Sequence, residues 1–187
     1  MKLKWFIVGA LIAAVLQTGA LGKIIYDRAE LIRNGTEVVL QSGMVDPRDL
    51  FRGHYVVLNL TIGRLASTDV KVDGEFEFKE PVYVSLKKGE NEFWEADTLY
   101  AEYPSDISAP VIRGEYNSRN VLVGSNQNHQ IRFPIDRFFA EKSHAKDLEK
   151  VRRDRNLGVV IALDEKGNAA IKGISVEGEL IYNEPVW

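Results

Sequence analysis

The chain has 187 residues, of which 45% are hydrophobic and 27% are charged, a balance that suits one compact domain with a sizeable core. Its 24 Lys and Arg against 27 Asp and Glu give a net charge of −3. With no long basic run, this argues against a nucleic-acid-binding protein and gives no reason to expect an electrostatic hold on anionic lipid. The absence of cysteine excludes disulfides, thiolate zinc sites and a cysteine nucleophile.

The N-terminal segment is apolar enough to cross a membrane. Trp5–Leu21 has 17 residues, and only Gln17 and Thr18 among them are polar, which reaches the lower end of the roughly 17–25 residues that a span needs. Lys2 and Lys4 precede it and favour a cytoplasmic N-terminus. A signal peptide cleaved near residues 20–22 is the alternative.

The residues after this segment favour the anchor. A helical stripe continues through six positions, namely Leu21, Ile24, Ile25, Arg28, Leu31 and Ile32. Asn34-Gly35 follows as a helix stop. We therefore predict an anchor and stalk helix, rising about 18 Å past the membrane, at residues 1–35. A single extracytoplasmic β-rich domain is predicted at residues 36–187.

Short apolar segments then alternate with turn residues at a spacing of roughly 8–12 residues, which is typical of antiparallel strands. The strand candidates are Thr36–Gln41, Phe51–Arg64, Val70–Val72, Glu75–Phe78, Val82–Leu86, Phe93–Tyr100, Val111–Tyr116, Val121–Gly124, Gln130–Pro134, Leu157–Leu163, Ala169–Val176 and Leu180–Tyr182. A narrow apolar stripe after Asp136 predicts one surface helix reaching Arg155. The fold class is therefore mainly β (α+β): an antiparallel β-sandwich or barrel with one surface helix, preceded by the N-terminal transmembrane and stalk helix.

The segment Asp46–Leu60, DPRDLFRGHYVVLNL, leads from a charged loop into the longest strand candidate. Side chains alternate along a strand, so His54, Val56, Leu58, Leu60 and Ile62 share one face. That face is apolar except for His54, which predicts a core face with His54 at its rim. A titrating or proton-handling role for His54 is the less favoured alternative.

The loop before this strand alternates charges at Asp46, Arg48, Asp49 and Arg52, with Pro47 between the first two. A surface ion-pair network is the simpler interpretation. A docking surface for a partner protein is the other, since functional contacts concentrate on loops. Acid–base chemistry is not favoured, because the arginines lower both carboxyl pKa values.

Other catalytic patterns are weak. His54, His129 and His144 show no spacing of three or four residues, so we predict no metal site, and no cofactor motif is present. Ser42-Gly43-Met44 near an apolar helix faintly resembles membrane signal peptidases. However, no lysine segment similar to that family's base is found, which makes a hydrolase the least favoured class.

The sequence Gly53–Leu60, GHYVVLNL, resembles the motif that names the GDYXXLXY family. The likeness extends to the charged lead-in, to Val82–Gly89, to Ile135–Phe139 and to Ala169–Tyr182. His54 stands where the motif has Asp, and Leu60 where it has the final Tyr. If the family's Asp were catalytic, this chain would lack that group, whereas a packing or docking role survives the change more easily.

The resemblance implies an uncharacterised bacterial membrane-anchored protein with an extracytoplasmic domain, often encoded beside polytopic membrane proteins. We predict a non-enzymatic accessory domain that docks on an integral membrane protein, with no nucleic-acid partner. The predicted contact residues are Asp46, Pro47, Arg48, Asp49, Arg52, Gly53, His54, Tyr55 and Leu58. The alternatives are a small-ligand or envelope-polymer binder, in a barrel mouth lined by Tyr83, Trp94, Tyr100 or Tyr103, and a hydrolase using Ser42 or His54.

Overall fold

The computed structural model describes residues 2–46, 55–118, 128–135, 137–139 and 157–184. These ranges contain one α-helix, one 3-10 helix and twelve strands. The helices are α1 (Lys2–Asn34) and the 3-10 helix Thr61–Gly63. The strands are β1 (Thr36–Asp46), β2 (Tyr55–Leu60), β3 (Arg64–Ala66), β4 (Lys71–Asp73), β5 (Pro81–Lys88), β6 (Trp94–Tyr100), β7 (Val111–Tyr116), β8 (Asn128–Arg132), β9 (Arg137–Phe139), β10 (Leu157–Leu163), β11 (Ala169–Val176) and β12 (Glu179–Asn183).

Helix α1 is continuous from the apolar segment through the predicted stalk. It ends where the sequence indicates, because the backbone N–H of Gly35 donates to the carbonyl of Leu31 at 2.9 Å and closes the last turn. The apolar part of the helix is not covered by the rest of the chain: Leu11, Val15 and Leu16 are 61%, 70% and 68% exposed. The presence of the predicted N-terminal helix is thus confirmed.

The strands form one large mixed sheet that does not close on itself. Its order is β12-β11-β10-β1-β6-β5-β7-β8-β3, while β2 pairs with β1, β9 with β2, and β4 with β6. Most neighbours are antiparallel, but β6 runs parallel to both β1 and β4. The prediction of a mainly β fold behind an N-terminal helix is confirmed.

The core lies among the central strands, where aliphatic side chains lose nearly all contact with solvent. Six Leu, Ile and Val side chains are 0% exposed, namely Leu40, Val84, Leu99, Ile112, Val159 and Ile161. Burying an aliphatic side chain of this size stabilises the fold by about 1.5–3 kcal/mol before entropy is counted. These strands are Val-, Ile- and Leu-rich, and β-branched side chains fit a pleated surface well.

The structure corrects two boundaries near the family motif. Strand β1 continues to Asp46, beyond the predicted strand end at Gln41, because Ser42 and Gly43 pair with Leu60 and Asn59 of β2. The single strand predicted over residues 51–64 ends at Leu60 and gives way to the 3-10 helix. There the hydroxyl of Thr61 donates to the carbonyl of Gln41 at 3.2 Å, which ties this turn to β1.

The two strands predicted at residues 70–72 and 75–78, on either side of Asp73-Gly74, do not form a hairpin. Gly74 does turn the chain, with a φ of 110° that suits glycine, but residues 75–78 form no strand. Strand β4 pairs instead with β6 in parallel, and the carbonyl of Asp73 accepts a hydrogen bond from the backbone N–H of Ala101 at 3.1 Å. Strand β4 therefore pairs with β6, which is distant in sequence, and not with the residues that directly follow it.

The predicted helix after Asp136 is wrong for its first residues, because Arg137–Phe139 forms strand β9 and pairs with β2. Residues 140–155, which make up the rest of that predicted helix, lie outside the described residues. So does the predicted strand at residues 121–124.

Candidate functional site

The described part of the family motif is strand β2, which lies between β1 and β9. Leu58 and Leu60 are 4% and 5% exposed, and Ile62 is 3% exposed, while Asn59 between the two leucines faces solvent. The predicted alternation is confirmed for Leu58, Leu60 and Ile62. These side chains belong to the main hydrophobic core, so this part of the motif packs the domain.

The rest of the predicted contact region lies only partly within the described residues. Asp46 ends β1 and Tyr55 begins β2, and Asp46 is in register with Val57. The remaining predicted contacts lie outside the described residues: Pro47, Arg48, Asp49, Arg52, Gly53 and His54.

The direction of β1 decides where this region lies. Strand β1 begins directly after α1 and has 11 residues, which at ~3.3 Å per residue carries Asp46 about 30 Å from the helix end. Asp46 is therefore close to the stalk in sequence but lies at the far end of β1 in space.

Helix α1 is fixed to the β domain by its last two turns. Ile32 is 6% exposed, and Nη1 of Arg28 donates to the carbonyl oxygen of Ala169 at 3.0 Å. A Cβ placed on Gly35 would lie 2.6 Å from the Leu31 oxygen and 3.0 Å from Cβ of Ala162, so the chain passes closely over β10 here. The stalk thus lies against the β10–β11 hairpin from Arg28 onward and does not project freely.

A basic cleft opens beside this junction, and we call it the helix-proximal cleft. It is lined by Lys79, Pro81, Arg113, Gly114, Glu115, Arg132, Phe133, Pro134, Asn168 and Ala169, and its volume is about 760 Å³. Ala169 is the residue whose carbonyl accepts the hydrogen bond from Arg28. Among these lining residues three are cationic and one is acidic, so the cleft is locally positive although the chain is acidic.

Three separate elements bring the cations together. The backbone N–H of Arg113, on β7, donates to the carbonyl of Gly167 at 2.8 Å and holds the β10–β11 turn against β7. Lys79 has a φ of 72°, which is uncommon for a residue with a side chain, and its N–H donates to Tyr116 at 2.8 Å. Arg132, on β8, is in register with Glu115 of β7. Sequence reasoning missed this cleft because its cations are far apart along the chain.

A second polar group, also missed, is buried under the sheet. His129 is 2% exposed. Its Nε2 lies 2.9 Å from the Ser67 hydroxyl, and its Nδ1 lies 3.0 Å from the Tyr116 hydroxyl. Phe76 packs edge-on against the imidazole with ring centroids 5.7 Å apart. Burial lowers the pKa of His129 below its usual 6.5, so the ring is neutral at neutral pH.

The Ser67–His129 pair resembles a nucleophile and its base in composition. A neutral imidazole has one donor and one acceptor nitrogen, and each hydroxyl can serve either role. The network is therefore satisfied in both tautomers, as a buried polar cluster requires. Its buried position in the core favours a packing role, and the spacing of residues 67, 116 and 129 gives no signal in the sequence.

The surroundings of Ser42 do not support the hydrolase alternative. Its side chain is 6% exposed, and its hydroxyl donates to the carbonyl of the adjacent Gly43 at 3.3 Å. His54 lies outside the described residues. Within the described ranges, no group of three or more His, Cys, Asp or Glu is placed to hold a metal ion.

The structure brings together three of the four aromatic residues proposed for ligand binding. Tyr83 and Tyr103 meet edge to face with centroids 5.4 Å apart, and Tyr100 is the register partner of Tyr83. A surface cleft of about 550 Å³ lies beside Tyr100 and Tyr103. Trp94 lies at the opposite end of β6 and packs against the core. These aromatics line an open sheet surface, because the described strands do not close into a barrel mouth.

The comparison with protein families shows which family this chain belongs to. The model of the GDYXXLXY family matches residues 17–174, which is most of the chain. The chain belongs to the GDYXXLXY family. No curated protein and no solved structure matches it. The match begins at Gln17, inside α1, and ends at Ile174 in β11, so it covers the second half of the helix together with the strands against which the helix packs.

Proposed function

We propose that this GDYXXLXY protein is a single-pass accessory domain of the bacterial cytoplasmic membrane. In this proposal α1 spans the bilayer at residues 5–21, the N-terminus is cytoplasmic, and the β domain is extracytoplasmic and docks on an integral membrane protein. The observation that carries the proposal is the helix itself. It is long and apolar enough to cross a membrane, and none of its apolar window is buried against the domain, so water is a poor solvent for that surface.

The junction at Arg28 and Ile32 supports a role in positioning. An anchor that only tethered a domain would not need to pack on it, whereas here the last two turns of α1 are fixed to β10 and β11. Strand β1 then carries Asp46, the first residue of the charged segment, about 30 Å away from the helix end.

Co-purification in mild detergent after crosslinking in intact cells tests the docking. We expect the double substitution Arg48→Glu and Arg52→Glu to abolish recovery of the membrane partner. The matched control carries Arg64→Glu and Lys71→Glu, two exposed cations on β3 and β4, and should recover the partner normally. Unchanged recovery with the first variant would refute docking through this loop, and recovery of the wild-type chain in the soluble fraction would refute the anchor.

A second candidate function is binding of a small ligand or an envelope polymer. It is favoured by the contact between Tyr83 and Tyr103 beside a surface cleft, since paired aromatic rings offer a surface for stacking. We expect Tyr103→Ala to lose binding to isolated cell-envelope polymer in a sedimentation assay, while Phe78→Ala, another exposed aromatic, retains it. Equal binding by both variants would exclude this surface.

A further inference from the structure

We propose that the helix-proximal cleft binds the phosphate headgroup of an anionic phospholipid in the leaflet next to the β domain. This inference rests on the proposed membrane anchor and assigns a ligand to a surface distinct from the Asp46–Tyr55 docking region.

Helix α1 sets the position of the helix-proximal cleft relative to the proposed membrane. Lys23 is the first charged residue after the apolar segment, and its ammonium pairs with Asp27 at 2.8 Å, which marks the polar boundary of the span. Arg28 lies five residues farther along α1, a rise of about 8 Å. The polar headgroup layer is roughly 5–8 Å thick on each side of the hydrocarbon. Because Arg28 contacts Ala169 on the cleft wall, the cleft lies at the outer boundary of this layer.

The charges favour a phosphate. Arg113 and Arg132 supply guanidinium groups, which bind phosphate oxygens in a bidentate fashion, and Lys79 adds a point charge. Glu115 is the acidic residue among the lining residues, against the three cations Lys79, Arg113 and Arg132. The nearby carboxylate of Asp164 already accepts hydrogen bonds from the backbone of Lys166 and from the backbone and side chain of Asn168, each at 2.7–2.8 Å. The negative charge of Asp164 is thereby stabilised within the β10–β11 turn.

The size favours a headgroup over a free anion. A volume of about 760 Å³ falls in the range of small-molecule sites and greatly exceeds one phosphate ion. Pro81, Phe133 and Pro134 supply apolar wall beside the cations. That combination suits a phosphate diester joined to glycerol, with the acyl chains directed toward the bilayer beside α1.

Native mass spectrometry of the full chain in a mild neutral detergent tests the inference. The probes are short-chain phosphatidylglycerol, short-chain phosphatidylcholine and inorganic phosphate. We expect one phosphatidylglycerol to be retained in preference to the other two. The variant Lys79→Gln, Arg113→Gln, Arg132→Gln should bind it on the order of a hundredfold more weakly, from the typical contribution of each cation near a lipid surface.

The matched control replaces three exposed cations outside the cleft, Arg64→Gln, Lys71→Gln and Lys88→Gln, and should change affinity by less than about twofold. If the triple cleft variant fails to fold by circular dichroism, the single variant Arg113→Gln gives the same readout, with an expected loss of about fivefold.

Three outcomes overturn the inference. Equal retention of phosphatidylglycerol by the wild type and the folded cleft variant shows that the lipid does not bind in the cleft. Equal affinity for inorganic phosphate assigns the cleft to a free anion. Loss of partner recovery in the cleft variant without any lipid preference assigns it to an acidic protein segment. Because these lipids are water-soluble, binding is measured even if the chain proves not to be anchored, so failure of the proposed function is distinguishable from failure of this site.

Discussion

Nη1 of Arg28 on helix α1 lies 3.0 Å from the carbonyl oxygen of Ala169, the first residue of strand β11. These residues are 141 positions apart, and their hydrogen bond joins the apolar helix to the sheet at the wall of the helix-proximal cleft. The guanidinium of Arg28 is a charged donor, and hydrogen bonds from charged donors are stronger than those between neutral groups. The orientation of the domain relative to the proposed membrane is therefore set by a specific contact as well as by chain connectivity.

Removing this contact should weaken the junction. We expect Arg28→Ala to lower the free energy of unfolding by about 1 kcal/mol, because a hydrogen bond from a charged donor is lost at a partly exposed position. Thermal unfolding of the full chain in detergent measures the effect, and hydrogen exchange in β11 should rise with it. The control Lys23→Ala breaks an exposed pair within α1 and should cost less than about 0.5 kcal/mol. Equal effects of the two substitutions would contradict a structural role for the Arg28 contact.

The turn at Gly35 should tolerate no side chain. A Cβ there would lie 2.6 Å from the Leu31 oxygen and 3.0 Å from the Leu163 oxygen, and both are backbone atoms. We expect Gly35→Ala to destabilise the protein by about 1–3 kcal/mol, as overpacking typically does. Gly22→Ala is the matched control, because nothing lies within 4 Å of its added Cβ and alanine favours a helix. A stable Gly35→Ala protein, judged by chemical unfolding, would show that α1 does not pass over β10 as described.

The motif strand should separate into a core face and a solvent face. Leu58→Ala removes a side chain that is 4% exposed, and we expect a loss of about 2–5 kcal/mol from transfer and cavity effects. Asn59→Ala, at the adjacent exposed position, should change stability by less than about 0.5 kcal/mol. Denaturant midpoints of the two variants measure the difference. If Asn59→Ala proved the more damaging change, the register of β2 would be wrong.

The buried His129 should make stability fall in mild acid. Because burial lowers the pKa of His129 below 6.5, the unfolded chain takes up this proton at a higher pH than the folded chain. Its contribution to stability is therefore complete above about pH 6.5 and decreases as the pH falls toward the folded-state pKa. Unfolding midpoints measured between about pH 8 and pH 5 should show this loss.

The variant His129→Gln isolates that effect. It removes the titrating group, while His54, His144 and the carboxylates remain and titrate in both proteins. We expect the variant to be less stable at neutral pH, since it breaks the contacts with Ser67 and Tyr116, but to lose less stability on acidification. Parallel pH profiles for the two proteins would show that His129 does not bind its proton preferentially in the unfolded state.

Local signals in the sequence were sufficient for several elements. Alternation predicted the buried face of Leu58, Leu60 and Ile62, because successive strand side chains point to opposite faces. Gly35 marked the end of α1 through its helix-capping preference. The antiparallel strands β10, β11 and β12 were readable because Gly167 and Gly178, with φ of 81° and 82°, sit in short turns between apolar runs.

Local signals did not predict the strands whose partners are distant in sequence. Asp73-Gly74 has the composition of a hairpin turn, yet Asp73 pairs with Tyr100 in a parallel arrangement because β6 offers an edge to β4. The first strand was predicted to end at Gln41, but the pairing of Ser42 with Leu60 extends β1. Composition describes a segment and its neighbours along the chain, while strand partners are chosen by the whole sheet.

The sequence by itself determined the family, the mainly β class and the apolar N-terminal helix, because motif, alternation and continuous hydrophobicity are properties of neighbouring residues. Only the tertiary structure decided that α1 is fixed to the sheet through Arg28 and Ala169 and that Asp46 lies at the far end of β1. It also brought Lys79, Arg113 and Arg132 into one cleft and enclosed His129 between Ser67 and Tyr116. Each of these arrangements joins residues from separate elements, and their proximity follows from strand order and register, which no local pattern in the sequence encodes.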